Sequence, residues 1–388
     1  MNFLTSEPTK WADTVEFSID CLFSSQSARN VDDVLSKAST RKHQKNLLKA
    51  VEPCIPKMIE NPNGISILTS LVKYGTILTV SNVTRIVLHS CEKVLTCEKA
   101  PVEVCEAPLG VLLERILYRE DCTEDCRINL IKILKSLDHS LLLGSSVFLL
   151  ATARLMIFDR AFAVSVCSNI KAKKAFFQLF LIKTKKNVVI RFCELVLSTE
   201  ERREDLTDLC SVFVFNALHT LYTANSSLRP WKEVTMLLAS CGCIAVVREM
   251  VKLLSEWPDI SVYLRNEHYA KVIACLLARN PEMNDGIVLL KVLFQKKEDF
   301  DEIMASRKSS QLRLLAAIAE KPAYVAALSE TLGESLGKRL LAAAVRYRNI
   351  NKPKALTTKE ALLQRIDKIR SVSGAIGSLD KTLKRRRE

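Results

Sequence analysis

Apolar residues recur at i, i+3, i+4, i+7 spacing in stretch after stretch of this chain, and that periodicity is the strongest constraint on its fold. Val83, Ile86, Val87, Val94 and Leu95 form one stripe. Ile128, Ile131, Leu134 and Leu137 form a second, widened by Leu130 and Ile133. Val188, Val189, Phe192, Leu195 and Val196 form a third, followed by Ile244–Leu254, Val272–Leu277 and Ile287–Phe294. Each stretch is one helix long with a wide apolar face, so each helix must bury itself against neighbours on both sides. Glycine is scarce, 10 of 388 residues, and leucine is abundant at 55. So little glycine argues against phosphate-cradling loops, serial tight hairpins and most all-β designs. With 48% hydrophobic residues there is enough apolar material to offset chain entropy, which excludes disorder as the main description.

Proline marks the joints. Pro230, Pro258, Pro281, Pro322 and Pro353 follow one another at intervals of 28, 23, 41 and 31 residues. Proline is expelled from helix interiors, so these positions are predicted breaks. Asn61-Pro62-Asn63-Gly64 and Asn280-Pro281 read as turns. Ser198–Glu200 reads as a polar joint between hairpins. The short runs Leu78-Thr79-Val80 and Val164-Ser165-Val166 fit either a strand or a buried helix. Many helices of about 10–15 residues with two-sided apolarity favour a solenoid over a single bundle.

One segment carries a family likeness. Ala239-Ser240-Cys241-Gly242-Cys243-Ile244, followed by Val247, Met250, Val251, Leu253 and Leu254, resembles the third helix of an armadillo repeat. Asn284-Asp285-Gly286-Ile287 through Phe294 is similar to a second-helix pattern. The resemblance to the armadillo/HEAT-type superfamily is clearest over 240–320 and architectural elsewhere; a regular period of about 42 residues is missing. It implies an all-α, right-handed solenoid of irregular repeats over 1–345. Beyond it come a basic segment with one amphipathic helix at 346–370 and a basic tail at 371–388. In the former, Thr357 and Glu360 make a capping box ahead of Leu362, Leu363, Ile366 and Ile369; Ser371–Ser378 reads as a linker. A pumilio-like reader of RNA bases places a polar triplet with Gln at its base-reading positions; here Ile65, Ser66 and Thr69 stand there with no Gln, so base-by-base reading is not expected.

Charge is unevenly placed. The formal net charge is +14, and Val345–Glu388 alone holds 13 basic and 4 acidic residues. Lys384, Arg385, Arg386 and Arg387 match a basic import signal, which favours a nuclear over a cytoplasmic protein. Lys171, Lys173, Lys174, Lys183, Lys185, Lys186 and Arg191 form a window with no acidic residue, a candidate surface for an anionic partner. A weaker cluster is Arg41, Lys42, Lys45 and Lys49.

Chemistry-bearing motifs are scarce. The 13 cysteines are odd in number and form no CxxC pair, so reduced thiols in an intracellular, soluble protein are expected. Cys91, Cys97, Cys105, Cys122 and Cys126, with His89 and His139, lack the close ligand pairs of a structural zinc site. Gly333-Glu334-Ser335-Leu336-Gly337-Lys338-Arg339 is one residue short of a phosphate loop, and Arg339 replaces the magnesium-binding hydroxyl. His43, His89, His139, His219 and His268 sit in no nucleophile motif. The early charges Glu7, Lys10, Asp13, Glu16 and Asp20 leave no signal-peptide core, and no run reads as a membrane span. The sequence therefore predicts no metal, no cofactor, no small-molecule substrate and no enzyme. It predicts a scaffold or adaptor that binds protein partners, a peptide or a helix, in an extended groove within a nuclear complex. The alternative is a factor associated with RNA or DNA, in ribosome or chromosome work, that holds the phosphate backbone with its basic surface.

Overall fold

A computed structural model describes residues 24–36, 44, 47–49, 51–119, 124–197, 204–225, 231–257, 260, 264–280, 283–333 and 335–350. Among these residues the secondary structure is helical throughout, with no strand. Contacts divide the chain into two units, Met1–Leu253 with Arg279–Pro281, and Leu254–Ala278 with Glu282–Glu388.

The first unit runs α1 (Ser25–Ser36), a 3-10 turn at Glu52–Cys54, α2 (Ile55–Met58), α3 (Pro62–Tyr74), α4 (Ile77–Ser90), α5 (Glu92–Leu95), α6 (Glu103–Tyr118) and α7 (Glu124–Ser136). It continues through α8 (His139–Gly144), α9 (Leu149–Phe158), α10 (Arg160–Ser168), α11 (Ile170–Leu181), α12 (Lys186–Leu197), α13 (Glu204–Asn225), α14 (Lys232–Ser240) and α15 (Ile244–Ser255, its last two residues counted with the second unit). Helices pack on the helix one repeat away. α1, α3, α6, α9, α12 and α14 form one continuous layer, each on the next. α8 packs on α11 and α11 on α13, while α4 meets α7 and α10 meets α13. This is a stack of helical repeats of α-solenoid type. The layer's helices α3, α6, α9 and α12 begin at Pro62, Glu103, Leu149 and Lys186, intervals of 41, 46 and 37 residues. The repeat exists, but its uneven length hides it from sequence comparison within the chain.

Short polar caps make the joints. Asn61 Oδ1 accepts from the backbone N–H of Asn63 at 2.9 Å and of Gly64 at 3.3 Å, with Pro62 as the first residue of α3. Asn61-Pro62-Asn63-Gly64 is thus a helix start rather than a free-standing turn, because proline needs no N–H there and asparagine supplies the missing acceptor. Asp138, Asp159 and Asn169 cap α8, α10 and α11 in the same way. Leu78-Thr79-Val80 and Val164-Ser165-Val166 are helical, within α4 and α10.

α9 lies deepest: every residue from Leu149 to Met156 is buried between α6 and α12. Close approach there needs Gly110 on α6, where a Cβ would collide with the Ser146 carbonyl. The stripe on α12 is buried as predicted, whereas on α7 the buried residues are Leu130 and Leu134, with Ile128 38% exposed. The Val83–Leu95 stripe is broken at Cys91, so it belongs to α4 and α5. Pro108 sits inside α6, an exception to the rule that placed prolines at joints.

The second unit comprises α16 (Glu267–Arg279, its last residue counted with the first unit), α17 (Met283–Leu293), α18 (Lys297–Ala305), α19 (Ser309–Ala319), α20 (Pro322–Leu332) and α21 (Leu336–Ile350). α17 packs on α20 and α19 on α21. Tyr324 fills the space above Gly286, where any Cβ would meet its ring. α18 is tied by Arg339 to Asp301 at 2.5 Å and by Arg265 to Glu302 at 2.9 Å. Lys384, Arg385, Arg386 and Arg387, the Thr357–Ile369 segment, the Ser198–Glu200 joint, and Arg41, Lys42 and Lys45 lie outside the described residues.

Candidate nucleic-acid interface

The basic window begins on α11, and an aromatic cluster fixes which way that helix faces. Phe176 stacks against Phe213 at 5.4 Å between centroids and meets Phe192 at 4.9 Å and Phe180 at 4.8 Å. Phe180 meets Trp231 edge-on at 4.7 Å. With Ala172, Phe176, Leu179 and Phe180 buried, Lys171 and Lys174 are exposed and Lys173 is half-buried. The first turn of α11 carries no acidic residue, although helix N-termini favour negative charge. Lys171 lies close enough to Asp138 to help lower its carboxyl pKa, an effect led by hydrogen bonds from Ser140. Lys173, Lys174 and Lys183 have no ion-pair partner among the described residues. Ile170, Leu181 and Ile182 flank the lysines and are 83%, 53% and 43% exposed.

The rest of the window is already engaged. Lys185 is buried, its Nζ 2.5 Å from Glu106 Oε2 on α6. Lys186 pairs with Glu233 at 3.3 Å, and Arg191 pairs with Glu194 at 3.1 Å. Lys185 is therefore corrected from surface residue to internal tie, because its carboxylate comes from 79 residues away and sequence proximity cannot reveal it. Among the described residues, no ion pair is formed by Lys173, Lys174 or Lys183 of the window.

Sequence reasoning missed a buried ion pair. Arg154 Nε on α9 lies 2.5 Å from Glu114 Oε1 on α6, with both side chains at most 5% exposed. Arg115 Nε sits 3.6 Å from the other Glu114 oxygen. Part of the signal was there: Arg154 is a lone charge inside an apolar run, one repeat from Glu114, but Arg115 beside Glu114 offered a nearer partner. A cavity of about 320 Å³ was also missed; Ile59, Cys91, Val94, Val102 and Leu109 line it, and Lys99 pairs with Glu60 at 3.1 Å on its wall.

Several of the thiols are buried. Burial pushes Cys91 up to about 12 and Cys243 up to about 11, and it also raises Cys193. Cys167 is raised first by its hydrogen bond with Cys210 and then by burial. Such thiols stay protonated at neutral pH and are poor nucleophiles. His139 packs edge-on against Phe162 at 5.8 Å, and His219 lies 5.9 Å from Phe215. Among the described residues no group of three His, Cys, Asp or Glu side chains is placed to hold a metal ion, and no helix is long and apolar enough to cross a membrane. In the triplet Ile65, Ser66 and Thr69, Ile65 is buried and Thr69 bonds the Ile65 carbonyl at 2.8 Å.

No protein-family model matches the chain, and no curated protein matches it. Among solved structures, it is similar to the Puf3 RNA-binding domain bound to the Cox17 RNA 3′ UTR recognition sequence site A. That likeness has a TM-score of 0.44 and 13% identity, over 92% of this chain and 96% of that one. A Puf4 T650C/C724R mutant bound to the Cox17 RNA 3′ UTR recognition sequence gives a TM-score of 0.35 and 11% identity, over 87% and 97%. At scores this low, neither likeness supports an argument about what this chain binds.

Proposed function

We propose that this protein is a non-enzymatic helical-repeat factor that holds nucleic acid by its phosphate backbone. The observation that carries the reading is the division of the basic window. Lys185, Lys186 and Arg191 are paired with carboxylates, while among the described residues Lys173, Lys174 and Lys183 have no ion-pair partner and Lys171 lies near Asp138. Lys171, Lys173 and Lys174 crowd the start of α11, and a polyanion relieves their mutual repulsion. Four phosphate contacts make log K fall by roughly 2.8–3.6 per tenfold rise in salt. Between 50 and 200 mM salt, affinity for an oligonucleotide should then drop about 50- to 150-fold.

The test is fluorescence anisotropy with a labelled 20-mer, comparing wild type with Lys171→Gln/Lys173→Gln/Lys174→Gln/Lys183→Gln. The variant should bind more weakly and with a much flatter salt dependence. Equal affinity and an equal slope would remove the reading. We also propose a nuclear pool directed by Lys384, Arg385, Arg386 and Arg387; deleting residues 380–388 should shift that pool to the cytoplasm, and unchanged localisation would refute it.

A second reading, a scaffold for a protein partner, is supported by α6. Val104, Val111 and Tyr118 are 63%, 37% and 43% exposed on one side of that helix, and Val102 at its start lines the cavity. A peptide with apolar anchors fits such a stripe. Binding partners that survive nuclease treatment would favour it.

A further inference from the structure

Three neighbouring helices of the first unit's central layer end on an aromatic residue: α3 on Tyr74, α6 on Tyr118 and α9 on Phe158. Because these helices pack successively on one another, their final residues follow one edge of the layer. Two side chains tie the ends of these helices together. The Arg119 guanidinium donates to the carbonyls of Val72 at 2.9 Å, Lys73 at 3.1 Å and Gly75 at 3.2 Å, the residues on either side of Tyr74. The Arg154 guanidinium, one turn before Phe158, lies 4.5 Å from the centre of the Tyr118 ring. Packed helix axes are about 8–10 Å apart, which sets the spacing of the rings.

Each ring also has a cation over it from its own surroundings. Lys73 Nζ is 4.4 Å from the Tyr74 centroid, Arg115 is 5.6 Å from Tyr118, and Arg127 is 5.3 Å from Phe158. Tyr118 and Phe158 are 43% and 50% exposed, well above what an aromatic side chain placed for core packing shows. Arg127 Nε has no hydrogen-bond partner among the described residues. Two carboxylates close to these helix ends, Glu114 and Asp159, are paired with Arg154 and Lys135.

We infer that this edge is a stacking platform for single-stranded nucleic acid, with bases on Tyr118 and Phe158 and phosphates near Lys73, Arg115 and Arg127. Rings and cations brought together from successive helices suit a strand whose bases are unpaired, since every base has a face to stack and every linkage has a charge. A duplex keeps its bases stacked on each other and offers the rings nothing. The inference rests on the nucleic-acid reading above and narrows it to single strands. A cationic peptide is the competing occupant, because Glu120, Asp121, Glu124 and Asp125 follow Arg119 in the sequence.

The experiment uses the full chain and anisotropy with a U20 strand, a 20-base-pair duplex and an arginine-rich peptide. The variants are Tyr118→Leu/Phe158→Leu, the ring-preserving Tyr118→Phe, and the four-lysine variant. The expected result is U20 bound at least tenfold more tightly than duplex, with the leucine pair losing about 5- to 100-fold per ring. Tyr118→Phe should bind as wild type does, and thermal melting should show all variants folded. A 5-iodouracil-substituted strand should photocrosslink at Tyr118 or Phe158. Leucine variants that bind U20 as wild type does, while the lysine variant fails, would overturn the platform and leave the lysine reading intact. Loss of all nucleic-acid binding in wild type would overturn both. Peptide binding that depends on the rings, without U20 binding, would assign the edge to a protein partner.

Discussion

The start of α11 and the end of α6 are both rich in cations, and they treat those cations in opposite ways. At the start of α11, Lys171, Lys173 and Lys174 crowd the end of a helix where positive charge is unfavourable, its first turn holds no acidic residue, and Lys171 lies near Asp138. At the end of α6, Arg119 caps the carbonyls of α3, Arg154 neutralises Glu114, and Arg115 covers Tyr118. Cations at a helix C-terminus are favourable, and here they also join one repeat to the next. Charge alone therefore does not identify a binding surface. Unpaired charge in an unfavourable place points to a partner because folding gives no reason for it, whereas the ends of α6 and α9 point to one through their exposed rings, Tyr118 and Phe158.

The sharpest way to break this contrast is Glu114→Ala. If the α6 end is structural, the change strands a buried Arg154 and costs about 3–5 kcal/mol, read as a lower midpoint in chemical denaturation. A loss below about 1 kcal/mol would mean that the pair is dispensable. Replacing both partners, as in Glu114→Leu/Arg154→Met, should recover most of the loss, since no lone charge remains. Next in size is Arg119→Ala, which leaves three carbonyls at the end of α3 without their donor and should cost about 2 kcal/mol, with faster amide exchange in the last turn of α3. The smallest effect has the opposite sign. The four-lysine glutamine variant should raise stability by about 0.5–1 kcal/mol, while the same protein loses oligonucleotide affinity. If that variant is instead less stable, the lysines belong to the fold and the contrast collapses.

Much of the fold was legible from spacing, and the misses share a cause. On α12 the stripe Val188, Val189, Phe192, Leu195 and Val196 is one-sided, and the whole of it is buried. On α7, apolar residues occupy two sides, so periodicity fixed the helix but not the face, and Leu130 and Leu134 went inward. Asn61-Pro62-Asn63-Gly64 contains the residues of a turn and of a helix start alike; only the bonds from Asn61 distinguish them. The site was legible in part. Lysines adjacent in sequence were found, but their separation into paired and unpaired depends on Glu106 and Glu233, which lie 79 and 47 residues from their partners. The aromatic edge was illegible because its members are isolated in sequence and become a series only where the helices end together.

The Glu114–Arg154 pair has a consequence for how the chain reaches its native state. In a stack where each helix rests on the next, folding can begin at any repeat and spread outward. A buried charge without its partner is too unfavourable to persist, so α6 cannot bury Glu114 before α9 delivers Arg154, nor the reverse. These two repeats must order in one step. The first unit should therefore hold an all-or-none kernel at its centre, last to open under hydrogen exchange, while the repeats beyond it fray one at a time.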